Sequence, residues 1–481
     1  MKKIILLLIL PLTALVAIDF TMTKEGLFTE TTVESPAPVP IPGTDPEVDN
    51  PYLEPVNLPK CDANNPEVQF IRNTTDWSKI NSSKRIFCVS PGDYRSLKNI
   101  PLTVSGTAAK RRYIVLNNSN DLHPGQLDKI QLANYALSVR ASYWTIDRLA
   151  YVNGYQKTAV IFQTGKYNIL NRSLVDNSGE AVSIRGGADN NTIQKCRFQN
   201  QTAKSLDLDR AGITTSQWMA DSYTVKNTKI IENEIVNYND GIQLHRGPDS
   251  NGGKLYQKAN CEGTIIDGNH IYADDTIAST GENALDFKIG SDNPLNPVMV
   301  TNNHLWGYKG SRVATNGVII VSHYNPKNLH INNNVIFEGE IGIVTGSNGP
   351  SSGYPLAMID GEIANNLIYK MEQTDGSKYA IKISGTRNTD VHDNVFINCE
   401  SIKGSVKNNP NGNYFRRNIF INSVGTLATS NNGNSVVDEL HTNIDYPDTE
   451  AAGYTKDYSF ETDRYTKKSR TITLINAVKA K

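Results

Sequence analysis

The sequence predicts an all-β protein, a right-handed parallel β-helix of roughly ten coils with an N-terminal cap. A short unit of the form apolar-x-x-Asn-x-apolar recurs along the chain, its Asn returns at intervals of 24 to 36 residues, and no long helical period interrupts it. A unit of two or three short strands cannot bury its apolar face alone, whereas stacked units share a core. A propeller would show longer, more regular repeats with several hairpins in each, so the β-helix is the better prediction.

The first 59 residues are predicted to precede the fold. Met1-Lys2-Lys3 and the apolar run Ile4–Ala17 form the charged and apolar regions of a signal peptide, residues 1–17. That run is too short to span a membrane comfortably, although an uncleaved anchor is the alternative. A secreted or periplasmic protein is therefore expected. Residues 18–59 are Pro-rich and read as an extended linker.

The remaining chain divides into three predicted regions. Residues 60–111 are expected to form the N-terminal cap region, 112–425 the parallel β-helix catalytic domain, and 426–481 a polar C-terminal cover. Extra residues at 203–223, 248–263 and 272–281 are predicted to be insertions that wall a groove on one face.

The repeated asparagines are predicted to build the turns between strands. Asn tolerates the left-handed backbone conformation, and its amide can hydrogen-bond to the Asn of the next coil. The seven asparagines are Asn233, Asn269, Asn303, Asn334, Asn366, Asn394 and Asn418.

The chain has five cysteines, an odd number for an exported protein, so at least one is unpaired or paired between chains. Cys61 and Cys88 flank the start of the fold and could form a disulfide. Cys196 stands where other repeats carry Asn and is expected to be a small buried residue.

Composition narrows the choice of partner. Charged residues make up 20% of the chain and the formal net charge is −1, which gives no indication of nucleic acid or a membrane surface as a partner. Apart from the signal peptide no membrane contact is expected, and a monomer is predicted.

The central candidate is the stretch from Gly281 to Gly290. Its alternation places Asp286 and Lys288 on one side of a strand and Phe287 on the other. Similar strands recur before and after it, and stacking them in register gives two outward columns. One column is predicted to hold Ser183, Gln243 and Asp286, and the next Arg185, His245 and Lys288. Arg246, His323 and Lys382 are further charged residues of this wall.

Lys288 is predicted to act as a base. Apolar neighbours would desolvate it, and Arg246 and His245 on the preceding coil would add like charge; both effects lower the pKa of a lysine. Arg246 and His245 are expected to assist. The alternative is that Asp286 only pairs with Lys288 in a surface ion pair.

Acidic residues near the lysine predict a calcium site. Asp240, Glu282 and Asp286 supply the oxygen ligands that Ca²⁺ prefers. Calcium and arginine would neutralise a uronic acid carboxylate while lysine removes the C5 proton, which is β-elimination on an acidic polysaccharide. The expected substrate-binding residues are Arg185, Gln243, His323, Lys382 and Trp218.

Two motifs resemble known polysaccharide lyases. Asn283–Gly290, followed by Val300–His304, resembles the Gly-Phe-Lys-Leu-Gly stretch of family 9, whose matching lysine is the base of a calcium-dependent pectate lyase; this implies the same role for Lys288. Asn239-Asp240-Gly241-Ile242 resembles that family's calcium stretch, although Asn239 and Gln243 stand where the family has aspartates. Glu282 before Lys288 is similar to family 6, which acts on alginate or chondroitin.

Other functions stay open at this point. A carbohydrate-binding adhesin would have the same fold and export signal but no need for a lysine hemmed in by charged groups. A glycoside hydrolase could use Asp240 and Asp286, and a C5-epimerase would share the proton abstraction. Each would still bind a carbohydrate on this face.

Overall fold

Stacked parallel strands form the whole described fold. The computed structural model describes residues 51–52, 54, 56–97, 99–117, 130–132, 137–152, 158–201, 211–216, 224–245, 260–274, 281–309, 317–346, 358–371, 379–399, 403–405, 412–423, 435–437 and 440–442. Every strand pair within these ranges is parallel, and the coils between Ile86 and Ser405 each contribute one strand to each of three long sheets. The right-handed parallel β-helix predicted from the repeat is therefore confirmed.

The three long sheets contain 14, 11 and 13 of the described strands. The 14-stranded sheet comprises Val68–Ile71, Ile86–Val89, Arg112–Leu116, Trp144–Asp147, Ile169–Asn171, Thr192–Gln194, Lys229–Ile231, Ile265–Asp267, Val298–Thr301, Leu329–Asn332, Glu362–Ala364, Asp390–His392, Tyr414–Arg416 and Ser435–Val437. The 11-stranded sheet comprises Ile100–Leu102, Leu137–Val139, Thr158–Phe162, Glu180–Arg185, Ala211–Ser216, Asp240–Leu244, Asn283–Phe287, Val318–Ser322, Ile341–Thr345, Ile381–Ser384 and Lys403–Ser405.

The 13-stranded sheet closes each coil. It comprises Gly92–Tyr94, Ile130–Leu132, Ala150–Tyr151, Leu174–Asp176, Arg197–Gln199, Glu234–Val236, His270–Tyr272, His304–Trp306, Val335–Gly339, Leu367–Met371, Val395–Ile397, Ile419–Ile421 and Leu440–Thr442. A short pair, Met358–Ile359 with Thr386–Arg387, and a 3₁₀ helix at Thr75–Lys79 complete the described elements.

The sheets extend beyond the bounds 112 and 425 predicted for the β-helix. Val68–Ile71 pairs with Ile86–Val89, which pairs with Arg112–Leu116, so coils already form within residues 60–111. Ser435–Val437, which lies inside residues 426–481, pairs with Tyr414–Arg416. One predicted insertion is also wrong in part, because Ala211–Ser216 is a full strand of the 11-stranded sheet.

A ladder of buried asparagines runs through the coils. The Nδ2 of Asn303 donates to Oδ1 of Asn334 at 2.9 Å, and its backbone N–H donates to the same oxygen at 3.0 Å. Equivalent bonds to the next asparagine are made by Asn233, Asn269, Asn334, Asn366 and Asn394, and all seven asparagines are at most 1% exposed. Since buried amides must be paired, each coil fixes the position of the next.

The left-handed conformation belongs to the residue before each ladder asparagine, which corrects the prediction. Asn302 has a φ of 57° and Asp393 a φ of 56°, whereas Asn303 and Asn394 do not have positive φ. The ladder position is therefore selected for its amide, and the turn position before it for tolerance of positive φ.

The cysteines behave as the sequence indicated. Cys61 and Cys88 form a disulfide, and Cys196, Cys261 and Cys399 are buried. Cys196 takes the ladder position, where its backbone N–H donates to Oδ1 of Asn233 at 3.0 Å. Within the described ranges no helix is both long and apolar enough to cross a membrane.

Candidate active site

The outer face of the 11-stranded sheet carries the predicted columns. Ser183 pairs with Thr214, Thr214 with Gln243, and Gln243 with Asp286, which confirms the first column with one additional rung. The same column continues through Val321 and Val344 to Lys382.

The second column runs beside the first, two residues further along each strand. Arg185 pairs with Ser216, and the next rungs are His245, Lys288 and His323. Backbone bonds fix that order: the Lys288 N–H donates to the Leu244 carbonyl at 3.0 Å, and the His323 N–H donates to the Phe287 carbonyl at 2.9 Å.

A glycine turns Asp240 toward this outer face. A Cβ added to Gly241 would lie 2.3 Å from Cγ2 of Ile271, in the core, and 2.5 Å from the Ala284 carbonyl oxygen. Position 241 therefore faces inward and tolerates only glycine, while Asp240 shares the outer face with Gln243, as the hydrogen bond between them shows.

Asp286 is the centre of the cluster. Its Oδ2 lies 2.8 Å from Nζ of Lys288 and accepts a hydrogen bond from Nε2 of Gln243 at 2.9 Å. Its Oδ1 lies 2.8 Å from Nε2 of His323. One buried carboxylate thus holds an amine, an amide and an imidazole drawn from three adjacent coils.

The charges around Asp286 outweigh its burial. Asp286 is 2% exposed, and burial raises the pKa of a carboxyl group, but the neighbouring Lys288 and His323 lower the pKa of Asp286 more, to well below its usual range. Asp286 is therefore ionised at neutral pH.

Asp240 is held from two sides by amides. Asn283, one coil further on, donates from Nδ2 to Oδ1 of Asp240 at 3.0 Å, and Gln243 donates from Nε2 to Oδ2 at 3.1 Å. Asp240 is fully buried. Asn283 was not among the predicted site residues, although it follows Asp240 in register and could have been found from that column.

The other predicted residues lie at various distances from this cluster. His245 is half-buried on the rung before Lys288, and its N–H donates to Oγ1 of Thr215 at 3.0 Å. Arg185 and Lys382 share the face but each lies three strand spacings away, about 14 Å, on opposite sides of the cluster. Arg246 and Trp218 lie outside the described residues.

The predicted calcium ligands differ in how well they fit a cation. Both oxygens of Asp240 and of Asp286 already face nitrogen groups, and the described residues contain no group of three His, Cys, Asp or Glu side chains placed to hold a metal. Glu282 fits better. It accepts a bond from Nδ2 of Asn239 at 3.3 Å, and the buried Oδ1 of Asn239 has no hydrogen-bond partner among the described residues. An orphan oxygen beside a carboxylate suits Ca²⁺.

Comparison with known proteins supports the fold. No protein-family model and no curated protein matches the sequence. Among solved structures, a mannuronic-acid-specific family 6 lyase from the human gut microbiota matches with a TM-score of 0.55 at 13% identity, covering 86% of this chain and 99% of its own. A family 6 polysaccharide lyase from Pseudopedobacter saltans matches at 0.51 and 14%, covering 82% and 98%.

A third structure, the family 6 alginate lyase AlyGC, matches with a TM-score of 0.53 at 13% identity, covering 80% of this chain and 54% of its own. At such identities the likeness establishes the fold, a parallel β-helix. These neighbours are family 6 lyases, one of the two families that the sequence resembles. The resemblance to family 9 rests on the sequence motifs alone.

Proposed function

We propose that this protein is a polysaccharide lyase that cleaves a uronic-acid-containing polymer by β-elimination. The observation that carries the proposal is the placement of Lys288 and His323 on the two oxygens of one buried, ionised carboxylate, Asp286. β-Elimination needs a base for the C5 proton, a positive charge beside the C6 carboxylate and a proton for the departing O4. This cluster contains groups for each task.

The resting proton of the cluster belongs on Lys288. An ordinary lysine holds a proton about 5 kcal/mol more strongly than an ordinary histidine. The proposed mechanism therefore assigns the proton to Lys288 and lets His323 donate its Nε2 hydrogen to the ionised carboxylate of Asp286, which can only accept.

These protonation states suggest which step of the elimination His323 and Lys288 each perform. His323 removes the C5 proton with its other ring nitrogen, because Asp286 orients the ring and stabilises the imidazolium that forms. Lys288 faces the C6 carboxylate and gives a proton to O4 as the C4–O4 bond breaks and the C4–C5 double bond forms. The sequence predicted Lys288 as the base. That assignment stays a prediction, and it requires the proton to lie on His323 and not on Lys288.

The rest of the face suits an extended acidic polymer. Arg185 and Lys382 lie about 14 Å to either side of the cluster on the same sheet face. A chain laid along the stacked strands would meet a positive side chain on each side of the cleaved bond. The structural neighbours named for alginate and mannuronic acid make mannuronate-rich alginate the first polymer to test.

Calcium belongs to the proposal as an added source of positive charge. Glu282 and the Asn239 oxygen would hold it, and it would supply charge neutralisation for a substrate carboxylate. Export is also proposed. The Cys61–Cys88 disulfide fits an oxidising compartment.

A hydrolase is less well supported by the geometry. A glycosidase places its two carboxyl groups on either side of the scissile bond. Here the space between Asp240 and Asp286 is filled by the amide of Gln243, and both carboxylates are at most 2% exposed. Neither could flank a sugar.

The test is the ultraviolet absorbance of the unsaturated product. Purified protein would be mixed with alginate, chondroitin and pectate, with calcium and with EDTA. We expect one polymer to give product, and His323→Gln to reduce the rate by about a hundredfold or more. Lys288→Arg keeps a permanent cation that cannot act as a base, and should stay faster than Lys288→Ala. Lys327→Ala, at an exposed lysine, is the control.

Other results have definite meanings. If Lys288→Arg is as inactive as Lys288→Ala while His323→Gln remains active, Lys288 is the base. Reducing ends without absorbance would indicate hydrolysis, and a changed C5 configuration without cleavage would indicate an epimerase. Binding of a polymer with no product at all would make this a carbohydrate-binding protein.

A further inference from the structure

Gln243 lies between two buried carboxylates on adjacent coils. Its Nε2 donates to Oδ2 of Asp240 at 3.1 Å and to Oδ2 of Asp286 at 2.9 Å. Gln243 is 3% exposed. A side-chain amide has two N–H groups, so one nitrogen can serve both carboxylates at once.

The Gln243 amide forms a hydrogen-bonded bridge between Asp240 and Asp286, and this bridge offsets the repulsion between the two carboxylates. Two ionised carboxylates separated by one amide group repel each other in a poorly hydrated site, which favours protonation of one of them. Lys288 and His323 stabilise the charge of Asp286, and Asp240 accepts hydrogen bonds from the amides of Gln243 and Asn283. Gln243 satisfies an oxygen of each carboxylate without adding charge.

The bridge also aims Asp286. The Oδ2 atom that accepts from Gln243 is the same atom that faces Nζ of Lys288. A rotation of the carboxylate that broke the first bond would also move Oδ1 away from His323. The orientation of the amine and the imidazole therefore depends on the amide.

We propose that Gln243 is a positioning residue for this centre. The sequence predicted that Gln243 binds the substrate, but both N–H groups of its amide are used within the protein and its side chain is buried. The expected effect of Gln243 on kcat rests on the proposed function. Its expected effect on stability rests on the contacts alone.

Gln243→Glu tests the bridge, because it replaces the donor by a third carboxylate. At neutral pH we expect kcat to fall about tenfold or more with KM nearly unchanged. Lowering the pH protonates the introduced carboxylate and restores a donor, so part of the lost kcat should return on the acid side. Asp240→Asn in the same protein returns the cluster to two carboxylates but gives Asp286 no donor, so it should recover part of the loss at neutral pH.

A control and a second readout keep the result interpretable. Gln194→Glu changes a buried glutamine that bonds Glu54 and Asn171 and does not bridge two carboxylates, so Asp240→Asn should not rescue it. The urea unfolding midpoint of the same proteins, measured against pH, should show the same pattern without substrate. The midpoint therefore tests the bridge even if no polymer is cleaved.

Two outcomes would overturn the inference. A rise in KM with kcat unchanged in Gln243→Glu would place Gln243 in contact with the substrate. A loss of stability or kcat that neither low pH nor Asp240→Asn repairs would show that the amide is not a bridge between the two carboxylates.

Discussion

Nζ of Lys288 lies 2.8 Å from Oδ2 of Asp286, and only one residue separates them in sequence. Side chains two apart in a strand point to the same face, so the strand itself creates this pair. Both side chains are at most 10% exposed. The ion pair is therefore a buried one, and neither charge can be removed without consequence for the other.

Asp286→Asn should be strongly destabilising. The variant leaves the Lys288 ammonium buried without its carboxylate, and breaking a buried pair by removing one partner costs about 3–5 kcal/mol. Urea unfolding measures the change. Asp292→Asn is the control, since its pair with Lys327 is half exposed and should change the free energy of unfolding by no more than about 0.5 kcal/mol. Equal effects in the two variants would contradict the burial argument.

The asparagine ladder predicts a second stability effect. Asn303→Ala removes the acceptor for the backbone N–H and the side-chain amide of Asn269 and leaves the backbone N–H buried and unpaired, which should cost about 2–3 kcal/mol. Asn64→Ala, at an exposed position, should change the free energy of unfolding by less than about 0.5 kcal/mol. Thermal or urea unfolding of both variants checks the difference. A small effect for Asn303→Ala would mean that water or a neighbouring group replaces the amide.

The ladder also shows why so much of this fold could be predicted. The Asn repeat and the apolar positions around it recur once per coil, so one local pattern determines the stacking of neighbouring coils. The columns of Gln243 with Asp286 and of His245 with Lys288 followed from that stacking and are confirmed by the strand register.

Other features depended on details that the pattern does not contain. Ala211–Ser216 has a single large apolar residue, Ile213, in place of the usual apolar alternation, so the sequence pattern does not predict a strand there. The outward turn of Asp240 depends on the close packing of Gly241 against Ile271 and Ala284. The bridge made by Gln243 depends on that turn, and a residue list alone gives no sign of it.

Cys196 allows a test in which the asparagine ladder is lengthened and not interrupted. Its Sγ lies 3.6 Å from the Leu170 carbonyl, and in the next coil Nδ2 of Asn233 donates to the equivalent Ile193 carbonyl at 2.9 Å. Cys196→Asn should extend the ladder by one coil and raise the free energy of unfolding by about 1 kcal/mol. A loss of stability would show that the wider amide overpacks this coil.

A second group of titratable residues, on the 14-stranded sheet, predicts how stability depends on pH. Nε2 of His392 lies 3.1 Å from Glu362 and its Nδ1 lies 2.7 Å from Asp393. The hydrogen bond to Glu362 is the main cause that raises the pKa of His392; burial opposes it, and the hydrogen bond to Asp393 and the charge of Asp390 add to it. The same bond lowers the pKa of Glu362 to about 2.

The linkage between protonation and folding gives the direction in which each residue changes stability with pH. A raised pKa for His392 means that its contribution to stability is full below the ordinary histidine value, about 6.5, and is lost as the pH rises through the raised value. The lowered pKa of Glu362 means that its contribution is present above about 4.5 and is lost as the pH falls toward 2. The pair therefore stabilises the fold most between these limits.

His392→Gln should flatten the decline in stability above about pH 6.5, because glutamine keeps a donor for Glu362 but carries no titrating charge. His330, which lies 3.6 Å from the same carboxylate, acts in the opposite direction, since burial lowers its pKa and its contribution grows with rising pH. His330→Gln should therefore remove a rise in stability below about pH 6.5 and leave the decline above that pH in place. Urea unfolding of the three proteins at a series of pH values checks both. A pH profile of His392→Gln that still declines like that of the wild type would place the titrating group elsewhere in the chain.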